Sequence, residues 1–210
     1  MYQLYAFATP NSIKPVIALE ELGVAYELHG VNVRKGEQTS SQFVALNPNA
    51  KVPVLTVNDA GNTMSLTESA AILVYLAERH GALLPTAGEA RARVFEQLFF
   101  HASAISPAFG QSGYFQKLAP TVLPHAIERF HGEALRTLAL LDGVLSTHEF
   151  VAGEAYSIAD IAHFGWIWRR AFAGVDLDGS PNVARWFDAV SQRPAVQRAI
   201  ARVEALAPPA

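Results

Sequence analysis

Short apolar runs and helix-spaced apolar positions alternate along the first eighty residues of the chain. The apolar and aromatic residues 2–7 predict a buried strand, and apolar residues at helical spacing predict a helix over residues 12–22. Asn11 or Ser12 can cap the start of this helix, and Gly23 is suited to its end. The chain therefore begins with a strand followed by a helix.

The next sixty residues continue this alternation and then add a hairpin. A crossover from strand to helix to strand requires a parallel pair, whereas a hairpin adds antiparallel strands, so the pattern predicts a mixed four-stranded sheet. The predicted elements are a strand over 26–33, a helical turn near 42–46, a strand over 52–57, a turn over 58–62, a strand over 63–66, and a helix over 69–80 that Gly81 ends.

Strand signals stop after Gly81, and only helical patterns follow. The sequence predicts an α/β domain over 1–81, a linker over 82–88, and an all-α domain over 89–210. The predicted helices cover 89–118 with a break or kink at Pro107, 121–147, a segment from the capping box Ser157–Asp160 to about Ala173, a segment from Ser180–Pro181, and 194–205.

Composition and charge narrow the function classes. Among 210 residues, 16 Lys and Arg face 19 Asp and Glu, and a net charge of −3 argues against nucleic acid as a partner. The chain contains no cysteine, so any sulfur chemistry must use a sulfur that arrives on a ligand. No segment resembles a secretory signal or a membrane span, which predicts a cytoplasmic protein without a membrane partner. His125 and His131 are six residues apart, which does not place them on one helix face, so we expect no metal site.

Pro53 lies inside a strand pattern, which is unusual because proline cannot donate to the ladder. A cis Val52–Pro53 bond would allow the backbone of Val52 to pair with an extended peptide. A trans proline on an edge strand is the alternative, and the spacing by itself favours it.

Two junctions between strands and helices carry polar side chains. Glu68 and Ser69 precede a helix whose free N–H groups could hold the carboxylate of an α-amino acid, while Glu68 faces its ammonium. Thr9 and Asn11 follow the first strand, where donors beside a helix N-terminus would stabilise an anion such as a thiolate. At each junction the alternative is ordinary capping and turn chemistry, which is the commoner use of these residue types.

Five motifs in this order resemble the glutathione transferase family over nearly the whole chain. The resemblance implies a thioredoxin-like N-terminal domain followed by a helical domain. The five motifs are the first strand with its helix, Asn47–Val54, Glu68–Glu78, Phe150–Ala162, and the capping box within this last segment. Within the family, the segments Thr9–Asn11, Lys35–Gln38 and Ala126–Phe130 resemble the bacterial nu class.

The resemblance also implies roles for individual residues in binding glutathione, the expected co-substrate, with no permanently bound cofactor. Thr9 and Asn11 would face the sulfur, and Arg129 would come across the interface of a homodimer. Tyr5 lies slightly earlier than the sulfur-binding tyrosine of other families, so it is interpreted as core or interface and kept as a second candidate donor. The resemblance further implies that the Val52–Pro53 bond is cis. The other implied glutathione contacts are Val52 and this Pro53 for the cysteinyl backbone, Glu68 and Ser69 for the γ-glutamyl group, and Lys51 and Gln38 for the glycyl end.

The chemistry that this resemblance implies is activation of the glutathione thiol. A free thiol has a pKa of about 8.5, so only a few per cent is thiolate near neutral pH. The expected activity is attack of the bound thiolate on a small electrophile, in a detoxifying conjugation. Glutathione-dependent disulfide reduction is the first alternative, and it could not use a protein cysteine pair. A non-catalytic member that binds glutathione or another ligand is the second alternative.

Overall fold

The computed structural model describes residues 1–59 and 62–207, which form two compact units. Of these residues, unit 1 comprises 1–59, 62–82 and 192–207, and unit 2 comprises Leu83–Ser191. Among the described residues, no helix combines the length and apolar character needed to cross a bilayer. The strands are β1 (Tyr2–Ala6), β2 (Tyr26–Gly30), β3 (Val54–Asp59) and β4 (Asn62–Leu66), and the helices are α1 (Ile13–Glu21), α2 (Ser41–Val44), α3 (Ser69–His80), α4 (Gly88–Phe100), α5 (Ser106–Lys117), α6 (Pro124–Leu145), α7 (Ile158–Trp168), α8 (Pro181–Ser191) and α9 (Pro194–Glu204).

The sheet of unit 1 has the strand order β2-β1-β3-β4. β1 pairs in parallel with β2, from Tyr2 opposite Tyr26 to Ala6 opposite Gly30. β1 and β3 are antiparallel, as are β3 and β4. The predicted mixed four-stranded sheet is therefore confirmed, and so is the thioredoxin-like order of its elements.

β2 is shorter than its apolar pattern predicts, because its partner strand ends first. The backbone N–H of Val31 still donates to the carbonyl of Ala6, the last residue of β1, at 2.9 Å. Beyond that point β1 offers no further backbone partner. Val31 instead packs in a small apolar cluster with Phe43 and Val54, so its hydrophobicity serves the core under α2 rather than a longer strand.

The β3–β4 hairpin is shifted relative to the prediction. β3 begins at Val54, opposite Tyr5 on β1, because Pro53 has no N–H to donate to the ladder. Asn58, Asp59 and Asn62, which belong to the predicted turn, lie within the two strands. The other two residues of that turn, at positions 60 and 61, lie outside the described residues.

α9 packs on α1 and thereby joins unit 1. Arg193 donates to both carboxylate oxygens of Glu21, at 2.6 and 3.0 Å, and Arg198 bonds the half-buried Glu20 at 2.7 Å. The apolar face of α9 is buried beneath these ion pairs. The compact units therefore differ from the sequence-based division, which groups residues 192–207 with the helical domain, because contacts far apart in sequence decide where a terminal helix packs.

The predicted break at Pro107 is present in unit 2. α4 ends at Phe100, residues His101–Ile105 form a π-helical turn, and α5 resumes at Ser106. Proline lacks an N–H and its ring clashes with the carbonyl four residues earlier, so a wider turn before it accommodates both effects. One long helical pattern therefore becomes two helices.

The capping box that begins α7 is confirmed. Ser157 Oγ accepts from the N–H of Ala159 at 3.2 Å, and the Asp160 carboxylate accepts from the N–H of Ser157 at 2.9 Å. α7 ends at Trp168 rather than near Ala173. Residues up to Ala173 continue as a 3-10 turn that stops at Gly174, whose φ of 71° favours glycine.

Candidate functional site

The turn between β1 and α1 is held by its own side chains. Ser12 Oγ accepts from the N–H of Phe7 at 3.3 Å and from the hydroxyl of Thr9 at 3.0 Å. Thr9 Oγ1 in turn accepts from the N–H of Ser12 at 3.2 Å. Ser12 is the N-cap residue of α1, yet no side chain caps this helix. The predicted side-chain cap from Asn11 or Ser12 is therefore wrong, because Ser12 is used to shape the turn.

Lys14 is a polar residue of this region that is not among the site residues predicted from the sequence. Its side chain is only 1% exposed, and its Nζ donates to Asn11 Oδ1 at 2.8 Å and to Ser69 Oγ at 3.4 Å. These two bonds link the start of α1 to the start of α3. A signal was available in the pattern, because Lys14 falls three residues before Ile17 on the inward face of α1, which is otherwise apolar.

The start of α3 has no side-chain cap. Glu68 occupies the N-cap position with a φ of 65°, and Ser69 is the first helical residue. The alternative that Ser69 only caps this helix is therefore wrong, since its hydroxyl accepts a hydrogen bond from Lys14 instead. A non-glycine residue in the left-handed region costs on the order of 1–3 kcal/mol, and such residues concentrate at ligand sites. The unpaired amides of the first turn remain available to an anion.

Two charges face each other across this junction. Burial lowers the pKa of Lys14 to about 7, and the negative charge of Glu68 partly offsets that decrease. Glu68 itself is exposed, whereas Lys14 is enclosed. The junction therefore combines a buried cation, an exposed carboxylate and a helix N-terminus, which suits a ligand group that carries both charges.

The Val52–Pro53 peptide bond is cis. The trans interpretation that the spacing favoured is therefore wrong, and the cis bond implied by the family resemblance is present. Pro53 is buried, and the half-buried Val52 packs against the apolar cluster of Val31, Phe43 and Val54. Because β3 begins only at Val54, Val52 lies just outside the strand ladder.

Lys51 and Gln38 lie in the loops that flank α2. Lys51 is exposed, and its carbonyl accepts from Asn47 Nδ2 at 2.7 Å, so a buried asparagine holds the backbone of this loop. Gln38 belongs to a 3-10 turn over Glu37–Thr39. Its Oε1 is buried without a hydrogen-bond partner among the residues that the structure describes. A ligand amide or ammonium could supply that partner.

Tyr5 lies in a different cluster. Its ring stacks on His29 with centroids 4.9 Å apart and meets Phe43 edge-on at 6.5 Å. Together with residues of β2 and α2, it lines a cavity of about 370 Å³. These contacts agree with the interpretation of Tyr5 as a packing residue. The structure brings together Asn11, Lys14, Glu68 and Ser69, whereas the Thr9 side chain bonds Ser12 within its own turn and Tyr5 packs in the separate aromatic cluster.

Arg129 is exposed on α6 and belongs to unit 2. Its positive charge contributes to the lowered pKa of Glu133, although the hydrogen bond from Arg136 is the larger cause. Every other predicted glutathione contact lies in unit 1.

Unit 1 therefore combines a thioredoxin-like sheet, a cis-proline loop and a helix without a side-chain cap that follows a hairpin. Family models for the glutathione S-transferase N-terminal domain and C-terminal domain match residues 1–78 and 119–194, respectively. The chain belongs to the glutathione S-transferase family.

Individual relatives narrow this assignment. The chain is similar to disulfide-bond oxidoreductase YfcG of Escherichia coli, with 36% identity over 97% of this chain and 96% of the relative. It also resembles a solved glutathione transferase family member of Pseudomonas fluorescens that has two glutathione bound, at 38% identity and a TM-score of 0.89 over 95% of this chain and 92% of the other. A glutathione transferase of Pseudomonas putida with one glutathione disulfide bound per subunit has 36% identity and a TM-score of 0.88 over 95% and 90% of the chains. The bacterial relatives fit the predicted resemblance to the nu class.

Proposed function

We propose that this protein binds glutathione on unit 1 and holds its sulfur as a thiolate for attack on a small electrophile. The observation that carries the proposal is the chain of hydrogen bonds from Asn11 through Lys14 to Ser69. It joins the turn after β1 to the uncapped start of α3. A donor for a sulfur and a donor for a carboxylate are thereby held in one connected cluster.

The γ-glutamyl end of glutathione is complementary to the start of α3. Its carboxylate would accept from Ser69 and from the first amides of α3, while its ammonium would face Glu68. The cysteinyl backbone would pair with Val52 beside the cis Pro53, as an added strand does. Lys51 and Gln38 would contact the glycyl carboxylate and amide, which gives the buried Gln38 Oε1 a partner.

Asn11 is the stronger of the two candidate sulfur donors. Lys14 bonds to its Oδ1, which leaves the two N–H groups of Nδ2 for a ligand. The Thr9 hydroxyl has one hydrogen, and that hydrogen is donated to Ser12 Oγ at 3.0 Å. Thr9 would have to break this hydrogen bond before it could donate to the sulfur, so we expect it to stabilise the thiolate less than Asn11 does.

In the transferase reaction the bound thiolate forms a carbon–sulfur bond and the electrophile loses its leaving group as an anion. The free energy required to prepare the thiolate is modest. Lowering the thiol pKa by one unit takes about 1.4 kcal/mol, which one or two hydrogen bonds to the charged sulfur can supply.

Glutathione-dependent disulfide reduction is the second candidate, and the relatives favour it specifically. YfcG is named a disulfide-bond oxidoreductase, and the Pseudomonas putida relative holds a glutathione disulfide. The bound thiolate would attack a disulfide, forming a mixed disulfide and releasing one thiolate. A second glutathione would then attack the mixed disulfide, yielding glutathione disulfide and the second thiol. The chain has no cysteine that could take part.

Parallel assays separate these candidates. Calorimetry with millimolar glutathione tests binding first, and initial rates are then measured with an aryl halide and with a small disulfide. Turnover of the halide alone supports the transferase, and turnover of the disulfide alone supports the reductase. Binding without either turnover or thiolate absorbance supports a non-catalytic ligand-binding member.

We expect Asn11→Ala to raise the pKa of the bound glutathione thiol by about one unit, because a hydrogen bond to a charged group is worth about 1.5–3 kcal/mol. Thr9→Ala should raise it less, since the Thr9 hydroxyl already bonds Ser12. Ultraviolet absorbance of the thiolate, titrated against pH at saturating glutathione, measures both changes. Asn62→Ala, at an exposed position on β4, is the matched control. An unchanged thiol pKa in both variants would remove Thr9 and Asn11 from this role.

We also propose that the protein is a cytoplasmic homodimer, since the cytosol holds glutathione in its reduced form. Phe99 on α4 is 66% exposed and stacks on Phe95 at 6.1 Å, an apolar feature that a subunit interface would cover. Arg129 would then reach the glutathione of the other subunit. Sedimentation equilibrium should return twice the chain mass of 22.7 kDa, and Phe99→Glu should shift the mass toward one chain. A single-chain mass for the unaltered protein would contradict the dimer.

A further inference from the structure

Lys14 is a buried lysine on a helix face whose other residues are apolar. It occupies the inward face of α1, between Ile13 and Pro15, which are also buried. Desolvating an ammonium is expensive, and apolar residues of similar size often replace buried ion pairs with no loss of stability. A methionine would fill this position without the free-energy cost of desolvating an ammonium. A charge kept at such a position points to a use other than packing.

We propose that Lys14 is a positioning residue that holds Asn11 and Ser69 as donors toward the two charged ends of a bound γ-glutamyl-cysteinyl group. This inference rests on the proposed glutathione function and names a residue that acts on both ends of the ligand.

The first half of the inference concerns the Asn11 amide. An amide presents an oxygen on one side and an NH2 group on the other. The 2.8 Å bond from Lys14 Nζ fixes the oxygen toward the ammonium, so Nδ2 is directed away from it. Without that bond the amide could turn its oxygen toward a thiolate, which would be repulsive. Lys14 therefore selects the donor face of Asn11.

The second half concerns the Ser69 hydroxyl. Ser69 Oγ accepts from Lys14 Nζ at 3.4 Å, so its own hydrogen is left to be donated. An oxygen that accepts from a cation also becomes a stronger donor, because hydrogen bonds in a chain polarise one another. Ser69 is thereby prepared to meet a carboxylate at the start of α3.

The burial of Lys14 strengthens its hydrogen bonds to Asn11 and Ser69. Only 1% of the residue is exposed, so water and salt screen the ammonium little. The exposed carboxylate of Glu68 favours the charged form and would face the ligand ammonium. One internal group thus fixes both donors, which couples recognition of the γ-glutamyl carboxylate to activation of the sulfur.

The test compares the pKa of the bound thiol in four proteins: the unaltered chain, Lys14→Met, Asn11→Ala and the double variant. We expect Lys14→Met to raise this pKa by about one unit, a tenfold change in the ratio of thiolate to thiol. Because Lys14 acts through Asn11, the double variant should exceed the larger single effect by little. Lys117→Met, at an exposed position in unit 2, is the control and should leave the thiol pKa unchanged. An unchanged thiol pKa in Lys14→Met, or fully additive effects, would overturn the role at Asn11.

The affinity for S-methylglutathione tests the role of Lys14 at Ser69 separately, because this ligand has no free thiol and cannot form a thiolate. Ser69→Ala should weaken its binding about fivefold, the value of one ordinary hydrogen bond. Lys14→Met should weaken it by a smaller factor, and the double variant should exceed the effect of Ser69→Ala by little. Equal affinity in Lys14→Met and the unaltered chain would overturn this half.

Lys14→Gln serves as a second variant if Lys14→Met does not fold, because it keeps a neutral donor to Asn11. It should raise the thiol pKa by less than Lys14→Met. If the unaltered chain takes up no glutathione, the proposed function and this inference are both overturned. If the unaltered chain binds glutathione and the lysine variants match it, only the inference is lost.

Discussion

Replacing Asp160 with alanine should lower the free energy of unfolding by about 3 kcal/mol or more, the sum expected when several buried donors each lose their acceptor. The carboxylate is fully buried and accepts from the N–H of Val151 at 3.0 Å, from the N–H of Ser157 at 2.9 Å and from Trp186 Nε1 at 2.9 Å. It also accepts from Ser157 Oγ at 3.1 Å. Alanine would leave these donors in a region that water does not reach, which costs more than the lost capping interaction itself.

Urea denaturation followed by circular dichroism measures this change. Burial raises the pKa of Asp160, and the four donors oppose that increase by favouring the carboxylate. The free energy of unfolding of Asp160→Asn should lie between those of the unaltered chain and Asp160→Ala, because one oxygen acceptor remains while an NH2 group now meets a donor. Asp188→Ala, on the exposed side of α8, is the control and should change stability by at most about 0.5 kcal/mol. A loss below about 1 kcal/mol in Asp160→Ala would contradict the role of this carboxylate as the common acceptor of unit 2.

Lys14→Met should change stability in the opposite direction. At pH 6 we expect the variant to unfold at a higher urea concentration, with a gain on the order of 2–4 kcal/mol, at about 1.4 kcal/mol for each unit by which burial lowers the pKa. The folded pKa of Lys14 is about 7 and the ordinary value is 10.5, so between these values the unfolded chain binds more protons than the folded one. Stability of the unaltered chain should therefore rise with pH across this window.

The advantage of the variant should shrink between pH 7 and pH 10 for the same reason. Urea midpoints of both proteins, measured without glutathione at several pH values, test this expectation. Parallel curves through the window would mean that Lys14 keeps an ordinary pKa in the folded state. A stabilised variant with a weaker thiolate would show that the charge is retained for the ligand at the expense of the fold.

Local signals predicted most element boundaries. α3 runs over the predicted residues 69–80, because an apolar stripe, a preceding strand and a terminal glycine all act within a few residues of one another. Gly81 has a φ of 63°, as expected of a glycine that ends a helix. The capping box at Ser157 was predictable for the same reason, since its donors and acceptors lie within four residues.

Boundaries that depend on a partner strand were predicted less well. β2 stops at Gly30 although Val31 and Val33 continue its pattern, because β1 provides no further backbone groups. The residue pattern by itself favoured a trans Pro53, since spacing carries no direct information on the isomer. The family motifs implied the cis bond, so comparison over the whole chain supplied what the single segment could not.

The candidate site likewise contains residues that local signals predicted and contacts that only distant partners create. Hydrophobic period and turn chemistry act over short stretches of chain, so they predicted the mixed sheet, the order of its elements and the polar junctions at Thr9, Asn11, Glu68 and Ser69. Only the tertiary structure decided that Lys14 is buried and bridges Asn11 to Ser69, which lies 55 residues away. The tertiary structure likewise brings the indole N–H of Trp186 to the carboxylate of Asp160, 26 residues earlier at the start of α7. It also packs α9 on α1. Each of these contacts joins residues far apart along the chain, and periodicity describes only which face of an element is buried, not which distant group lies against it.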